Sequence, residues 1–339
     1  MKKIIIAVLL TSFLAGTAFA QLTFSGSAYA GIRLRSEQNQ DVTLDAYHRD
    51  NWNRVPRLDL TAAVMRENFG ARLSTIFQMD SAFDGSLTLE GIYGWINFPG
   101  FTGSDSFRLS MGQISTAVWV TRLHSSLQEY HFDDIRGFRL EYTTPIQGLS
   151  VGAAFRTNGH NVSDFGKEMI LGATFIHSLF NTVIAYDLSA NAHLLFGFNF
   201  TGIPDLTAGI QLQANRLASW DDWHFFGNLE MHQIVGYRIM RPLFVYMIFG
   251  QTFSGQTDSD IGLEFTPGVE YRILPNLLGS LSMTIASPDH FTTTNLTLRP
   301  VLEYTLRGPA LFYVEYELHF PNMGSPRHTF GFGIEIRAF

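Results

Sequence analysis

The chain has no cysteine and only three lysines among its 339 residues, and beyond its first 20 it holds no apolar run long enough for a membrane helix. Without cysteine no disulfide framework can form, so stability must come from hydrogen bonding and burial within one large structure. Lysine is nearly absent past Lys2 and Lys3, leaving Lys167 alone and arginine as the carrier of positive charge. The missing apolar runs exclude helical membrane spans, which need about 20 consecutive apolar residues. Positive charge is scarce overall: 23 basic residues face 30 acidic ones, a balance that argues against a nucleic-acid partner.

What is present begins with an export signal. Lys2 and Lys3 precede an apolar run from Ile4 to Leu14, and Thr17-Ala18-Phe19-Ala20 forms an A-x-A cleavage site before Gln21. The apolar core is about 11 residues long, too short to cross hydrocarbon. Residues 1–20 are therefore expected to be a removed signal peptide and 21–339 the mature domain. Loss of Lys2 and Lys3 leaves 21 basic residues against 30 acidic, a net charge near −9.

From Gln21 onward the pattern has period two. Phe24, Ala28, Ala30, Ile32 and Leu34 share one face, with Ser25, Ser27, Tyr29, Arg33 and Arg35 on the other. Arg57 to Met65 and Ala71 to Asp80 follow, joined by a turn expected over Glu67-Asn68-Phe69-Gly70. Further on, Ile261, Leu263, Phe265, Val269 and Tyr271 oppose Glu264, Thr266, Glu270 and Arg272. Likewise Phe312, Val314, Tyr316 and Leu318 oppose Tyr313, Glu315, Glu317 and His319.

Period two alone fits a soluble sandwich as well as a membrane barrel. The connections separate the two. Short turns at Gly202-Ile203-Pro204-Asp205, Arg241-Pro242, Leu274-Pro275-Asn276 and Gly308-Pro309 alternate with long polar stretches at 36–56, 113–136, 158–167 and 254–260. A sandwich has no reason to sort its connections this way, whereas a barrel with two different rims does. The expected fold is an all-β, transmembrane antiparallel barrel of about 16 strands, or 18 if Asn181 to Thr201 supplies a pair. A barrel of that size encloses water, whereas about eight strands would be filled by their own side chains.

The stretch from Gln113 to Tyr142 interrupts the rhythm. Trp119, Arg122, His124, Glu129, His131, Asp133, Asp134 and Arg136 are too many for a tight hairpin and too polar for lipid. Segment 113–136 is therefore expected to fold into the barrel and narrow it. Arg33, Arg57, Arg72, Arg108, Arg139 and Arg156 all fall on the polar face of the first half. Opposite Glu129, Asp133 and Asp134, they would set a transverse field at the constriction.

The flanks of this segment carry a resemblance. Leu89-Glu90-Gly91-Ile92-Tyr93-Gly94-Trp95-Ile96-Asn97-Phe98 and Phe107-Arg108-Leu109-Ser110-Met111-Gly112-Gln113 are similar to the strand, turn and strand that lead into the third loop of Gram-negative general diffusion porins. Arg136-Gly137-Phe138-Arg139-Leu140-Glu141-Tyr142-Thr143-Thr144-Pro145 and Gly148-Leu149-Ser150-Val151-Gly152-Ala153-Ala154-Phe155 resemble the hairpin after it. The detailed likeness covers about a third of the mature chain, the remainder being alike in architecture. It implies a bacterial outer-membrane location, contact with membrane lipid, insertion by the barrel-assembly machinery, a homotrimer, and passive diffusion of small hydrophilic solutes and ions. Phe339 matches the family's aromatic end, but one residue out of phase with Phe330, Phe332, Ile334 and Ile336.

Other functions are weaker readings of the same residues. Tyr29, Tyr313 and Trp119 could begin an aromatic file of the kind a sugar-selective channel uses, and long loops could serve an adhesin or structural surface protein. His124-Ser125-Ser126 has the His-x-Ser spacing of a barrel phospholipase but no asparagine twelve residues past its serine, so no catalytic residue and no enzyme is expected. No cofactor is expected either. His224 and His232 are too far apart to chelate together, and Asp221-Asp222 and Asp258-Ser259-Asp260 read as solvated turns, so no metal site is expected.

Overall fold

The structure, a computed structural model, describes residues 21–37, 41–46, 56–79, 85–114, 119–121, 123, 127, 130, 132, 135–157, 169–188, 193–215, 228–254, 260–287, 293–306, 309–322 and 324–337. The expected signal 1–20 and the terminal Phe339 lie outside them. Every named element is a strand. In chain order they are β1 (Gln21–Glu37), β2 (Thr43–Ala46), β3 (Arg57–Met65), β4 (Phe69–Met79), β5 (Gly85–Pro99), β6 (Ser106–Ile114), β7 (Ile135–Thr143), β8 (Leu149–Arg156), β9 (Met169–Ile176) and β10 (Phe180–Asp187). There follow β11 (His193–Phe200), β12 (Leu206–Asn215), β13 (Asn228–Met240), β14 (Leu243–Ser254), β15 (Asp260–Leu274), β16 (Leu277–Ser287), β17 (Asn295–Thr305), β18 (Ala310–Phe320) and β19 (Arg327–Arg337).

From β3 onward each strand pairs antiparallel with the next, and β1 pairs with β3 and, from Ser27↔Arg337 to Glu37↔Arg327, with β19, so the sheet closes on itself. Closure removes the open edge, whose unpaired backbone groups could not be left in hydrocarbon. β1 is long enough to pair twice on its other side, with β3 along Gln21–Tyr29 and with β2 along Ile32–Arg35. Because β2 pairs with β1 alone, the nineteen strands among the described residues make a barrel of 18 staves. This is the larger of the two counts expected, because residues 181–201 do form strands, most of β10 and all of β11. The 36–56 connection, expected to be a plain loop, contains β2. The turn expected at 67–70 is tighter: Arg66 donates its amide to Phe69 O at 2.8 Å, and Phe69 and Gly70 already belong to β4.

Alternation puts one face of each strand outside. Phe24, Leu87, Phe77, Leu140, Ile184, Val235, Leu281, Leu302 and Phe332 lie there, exposed by 37–74%. An apolar belt of this extent is untenable in water and belongs in a bilayer. A bulge in β5 keeps the belt in phase. Ser74 pairs with Gly91 and Thr75 with Leu89, so Glu90 is the extra residue, and Leu87 and Leu89 share the outer face with Ile92, Ile96 and Phe98.

The connections sort by rim. At one rim lie the short turns, including 66–68, 177–179, 201–205 and 241–242, and at the other the long ones. The turn 144–148 ends on Gly148 at φ 84°, where any Cβ would overlap Ile176 O, so only glycine fits. The turn 100–105 is tied by Asp105, whose carboxylate accepts from the amides of Phe101 and Thr102, the Thr102 hydroxyl and the Tyr142 hydroxyl, at 2.7–2.8 Å. Burial raises this carboxyl's pKa, but those four donors outweigh burial and hold it well below the usual carboxylate range.

Candidate functional site

The inner face divides into two arcs. From β8 to β14 it is largely small and apolar, with Gly152, Ala154, Ile170, Gly172, Val183, Ala185, Leu195, Ile234, Tyr246 and Ile248, and it carries polar groups at Arg156, Asp187, Gln211, Glu230 and His232. The described residues between β6 and β7, among them Trp119, Thr121, Leu123, Leu127, Tyr130 and Phe132, lie across this arc. Trp119, only 2% exposed, rests on Gly152 and Gly172; a Cβ at Gly172 would overlap its indole. Thr121 and Tyr130 exchange backbone hydrogen bonds at 3.0 Å, making a small antiparallel clasp. A Cβ on Gly197 would meet the Thr121 methyl at 2.5 Å, and one on Gly209 would meet Leu123 at 2.7 Å. Trp119, Tyr130 and Phe132 are buried in one cluster with Ile114, Ile135, Ile170, Val183 and Leu195. Leu127 is buried in a second with Ile234, Phe244, Tyr246 and Ile248.

Polar anchors fix the far end. The Tyr130 hydroxyl lies 3.1 Å from the Glu230 carboxylate and 2.8 Å from His232 Nδ1. A hydroxyl has one proton, so the consistent arrangement has Tyr130 donating to Glu230 and His232 Nδ1–H donating to Tyr130. The Leu123 amide donates to Gln211 at 3.3 Å.

The rest of the inner face, β1 to β7 and β15 to β19, is charged and hydroxylic. All six arginines read from the sequence occupy the inner face, but four are paired within the wall. Arg33 meets Asp45 at 3.3 Å, Arg57 meets Asp59 at 2.7 Å, Arg139 meets Glu141 at 3.0 Å and Arg156 meets Asp187 at 2.8 Å. Arg72 donates to the hydroxyls of Ser74 and Thr61, and Arg108 lies 4.8 Å from the centre of the Trp95 ring. Among the described residues neither has a carboxylate partner. Arg57 with Asp59 and Arg139 with Glu141 pair because Arg-x-Asp and Arg-x-Glu on one strand face bring opposite charges side by side, whereas Arg33 and Arg156 meet carboxylates of other strands. Glu129, Asp133, Asp134, Arg122, His124, Ser125, Ser126, His131, Asp221, Asp222 and His224 lie outside the described residues.

The aromatic file does not form. Tyr29 lies on the inner face with Arg57 over its ring at 5.7 Å, but Tyr313 has no exposed surface and Trp119 has 2%. Sequence reasoning also missed Leu123, Leu127, Tyr130 and Phe132, since segment 113–136 was read for its charges. The usable signal was in the strands: Gly152, Gly172, Gly197 and Gly209 recur on inner faces, and a glycine inside a strand marks a close approach by another group.

No protein-family model matches the chain, and no curated relative matches it. The fold is that of Gram-negative outer-membrane porins. Pseudomonas aeruginosa OpdK, solved with vanillate, is similar over 94% of this chain and 98% of its own, at 10% identity and TM-score 0.60. A Rh. blastica porin mutant covers 94% and 100% at 10% identity and TM-score 0.55, and an anion-selective porin from Comamonas acidovorans covers the same shares at 10% and 0.53. A barrel of this fold with an unbroken apolar belt is a protein of the bacterial outer membrane.

Proposed function

We propose that the protein is a passive channel for small hydrophilic solutes and ions, narrowed by segment 113–136. One observation carries the reading: the inner wall is mostly apolar where Trp119, Leu127, Tyr130 and Phe132 of that segment cover it, and mostly charged or hydroxylic elsewhere. A water-filled path needs a polar wall, and an apolar wall is stable only under cover. The path therefore runs along β1–β7 and β15–β19. Loop carboxylates Glu129, Asp133 and Asp134 facing Arg72 and Arg108 belong to the same proposal, as do removal of Met1–Ala20 on export and a homotrimer.

The test is single-channel recording of the purified protein in a planar bilayer. Stepwise conductance without solute preference supports a general channel. Saturable block by a solute supports the second reading, a substrate-selective channel, which the 18 staves and the charged hollow described below favour. No conductance overturns both.

A further inference from the structure

Near the rim of long connections, β1, β19 and β18 set three rows of residues side by side on the inner face. The rows are Arg33, Gly331, Glu315; then Arg35, Thr329, Glu317; then Glu37, Arg327, His319. The outer two rows are neutralised internally. Arg33 pairs with Asp45 at 3.3 Å, Glu315 with Arg299, and Arg327 with Glu37 at 3.0 Å. The middle row is not. Arg35 reaches Asp45, already held by Arg33, at only 3.7 Å, and Glu317 has no ion-pair partner among the described residues. Thr329 separates them, so their Cα atoms stand two strand spacings apart, about 10 Å. Above this row is a hollow of about 500 Å³, within the range of small-ligand sites, with Asp41 as a further carboxylate in its lining.

We propose that this hollow is a binding site for a small zwitterionic solute, its carboxylate on Arg35 and its ammonium on Glu317. The proposal rests on the channel reading and names a solute class for it. A simple anion would leave Glu317 facing it with like charge, and a simple cation would face Arg35. A neutral polyol would displace water from both charges and compensate neither. A molecule bearing both charges a carbon or two apart answers both, with the Thr329 hydroxyl between them.

The test uses the folded full chain in detergent micelles, with L-alanine as probe and acetate and ethylamine as its two halves, read by saturation-transfer NMR. Alanine is expected to bind saturably, with neither half competing at equal concentration. Arg35→Gln and Glu317→Gln should each weaken alanine binding about tenfold, while Arg35→Lys retains most of it. Folding of each variant is checked by its heat-dependent gel mobility, and either glutamine variant alone suffices. Acetate binding as well as alanine, or alanine binding unchanged by a folded glutamine variant, overturns the proposal. Conductance in the bilayer without saturable alanine binding also overturns the site while the channel stands. Alanine binding without conductance supports the site and removes the channel.

Discussion

The inner walls of β8–β14 and of β1–β7 with β15–β19 differ in their prevailing residue types, although their outer walls match. On the covered arc, glycines and aliphatics receive Trp119, Leu127 and Tyr130; on the open arc, arginines and carboxylates face one another. The outer face obeys a single solvent, lipid, all the way round. The inner face obeys two, protein on one arc and water on the other. A strand's second face therefore reports what lies against it and not which side of the barrel it is on.

The comparison breaks most readily at Gly172. Valine there would displace the Trp119 ring, and losing a buried tryptophan costs about 3–5 kcal/mol. Gly172→Val should release segment 113–136, raising both protease cleavage within it and single-channel conductance. Thr61→Val, on the open arc, should do neither. If both variants left cleavage unchanged, the two arcs would not differ as described.

Next in size is a test of the shared outer face. Leu281→Arg on the open arc and Ile184→Arg on the covered arc should each reduce assembly by a similar amount, about 2–4 kcal/mol near the bilayer midplane. Ser282→Arg, one residue along but facing inward, should assemble normally. Folding yield by gel mobility is the readout, and unequal losses for the two outer variants would show that the arcs differ outside as well as inside.

A smaller effect is expected at the anchor. Tyr130→Phe leaves the ring in its cluster but removes the hydroxyl from Glu230 and His232, at a cost of about 1–2 kcal/mol for buried polar groups left short of a partner. Hydrogen exchange should quicken at Thr121 and Tyr130 and not in the open-arc strands. The smallest effect concerns neither arc. Asp105 has a folded-state pKa below its ordinary 3.8, so its contribution is complete above that pH and is lost as pH falls through the folded value. The stability gap between the protein and Asp105→Asn, measured by urea unfolding, should be constant from pH 8 to about pH 5 and shrink in stronger acid.

How far each element was legible follows from the same contrast. β15 and β18 were plain because one face is apolar and the other charged. β10 and β11 were ambiguous because Val183, Ala185 and Leu195 are apolar on the inner face as well, which erases alternation. The inner position of all six arginines was legible, but their pairing was only half so. Arg57 with Asp59 and Arg139 with Glu141 are two residues apart on one strand, while Arg156 with Asp187 joins strands 31 positions apart.

By itself, then, the sequence determined the strand period, the inner and outer faces and the sorting of short from long connections. These depend on residues two apart, whose side chains a strand's own geometry places on one face. Only the tertiary structure decided the barrel's closure through β1 and β19, the position of Trp119 and Tyr130 against β8–β14, and the row that sets Arg35 and Glu317 on either side of Thr329. Those contacts join residues far apart in the chain, and their partners are chosen by space and charge in the closed barrel, which no local period encodes.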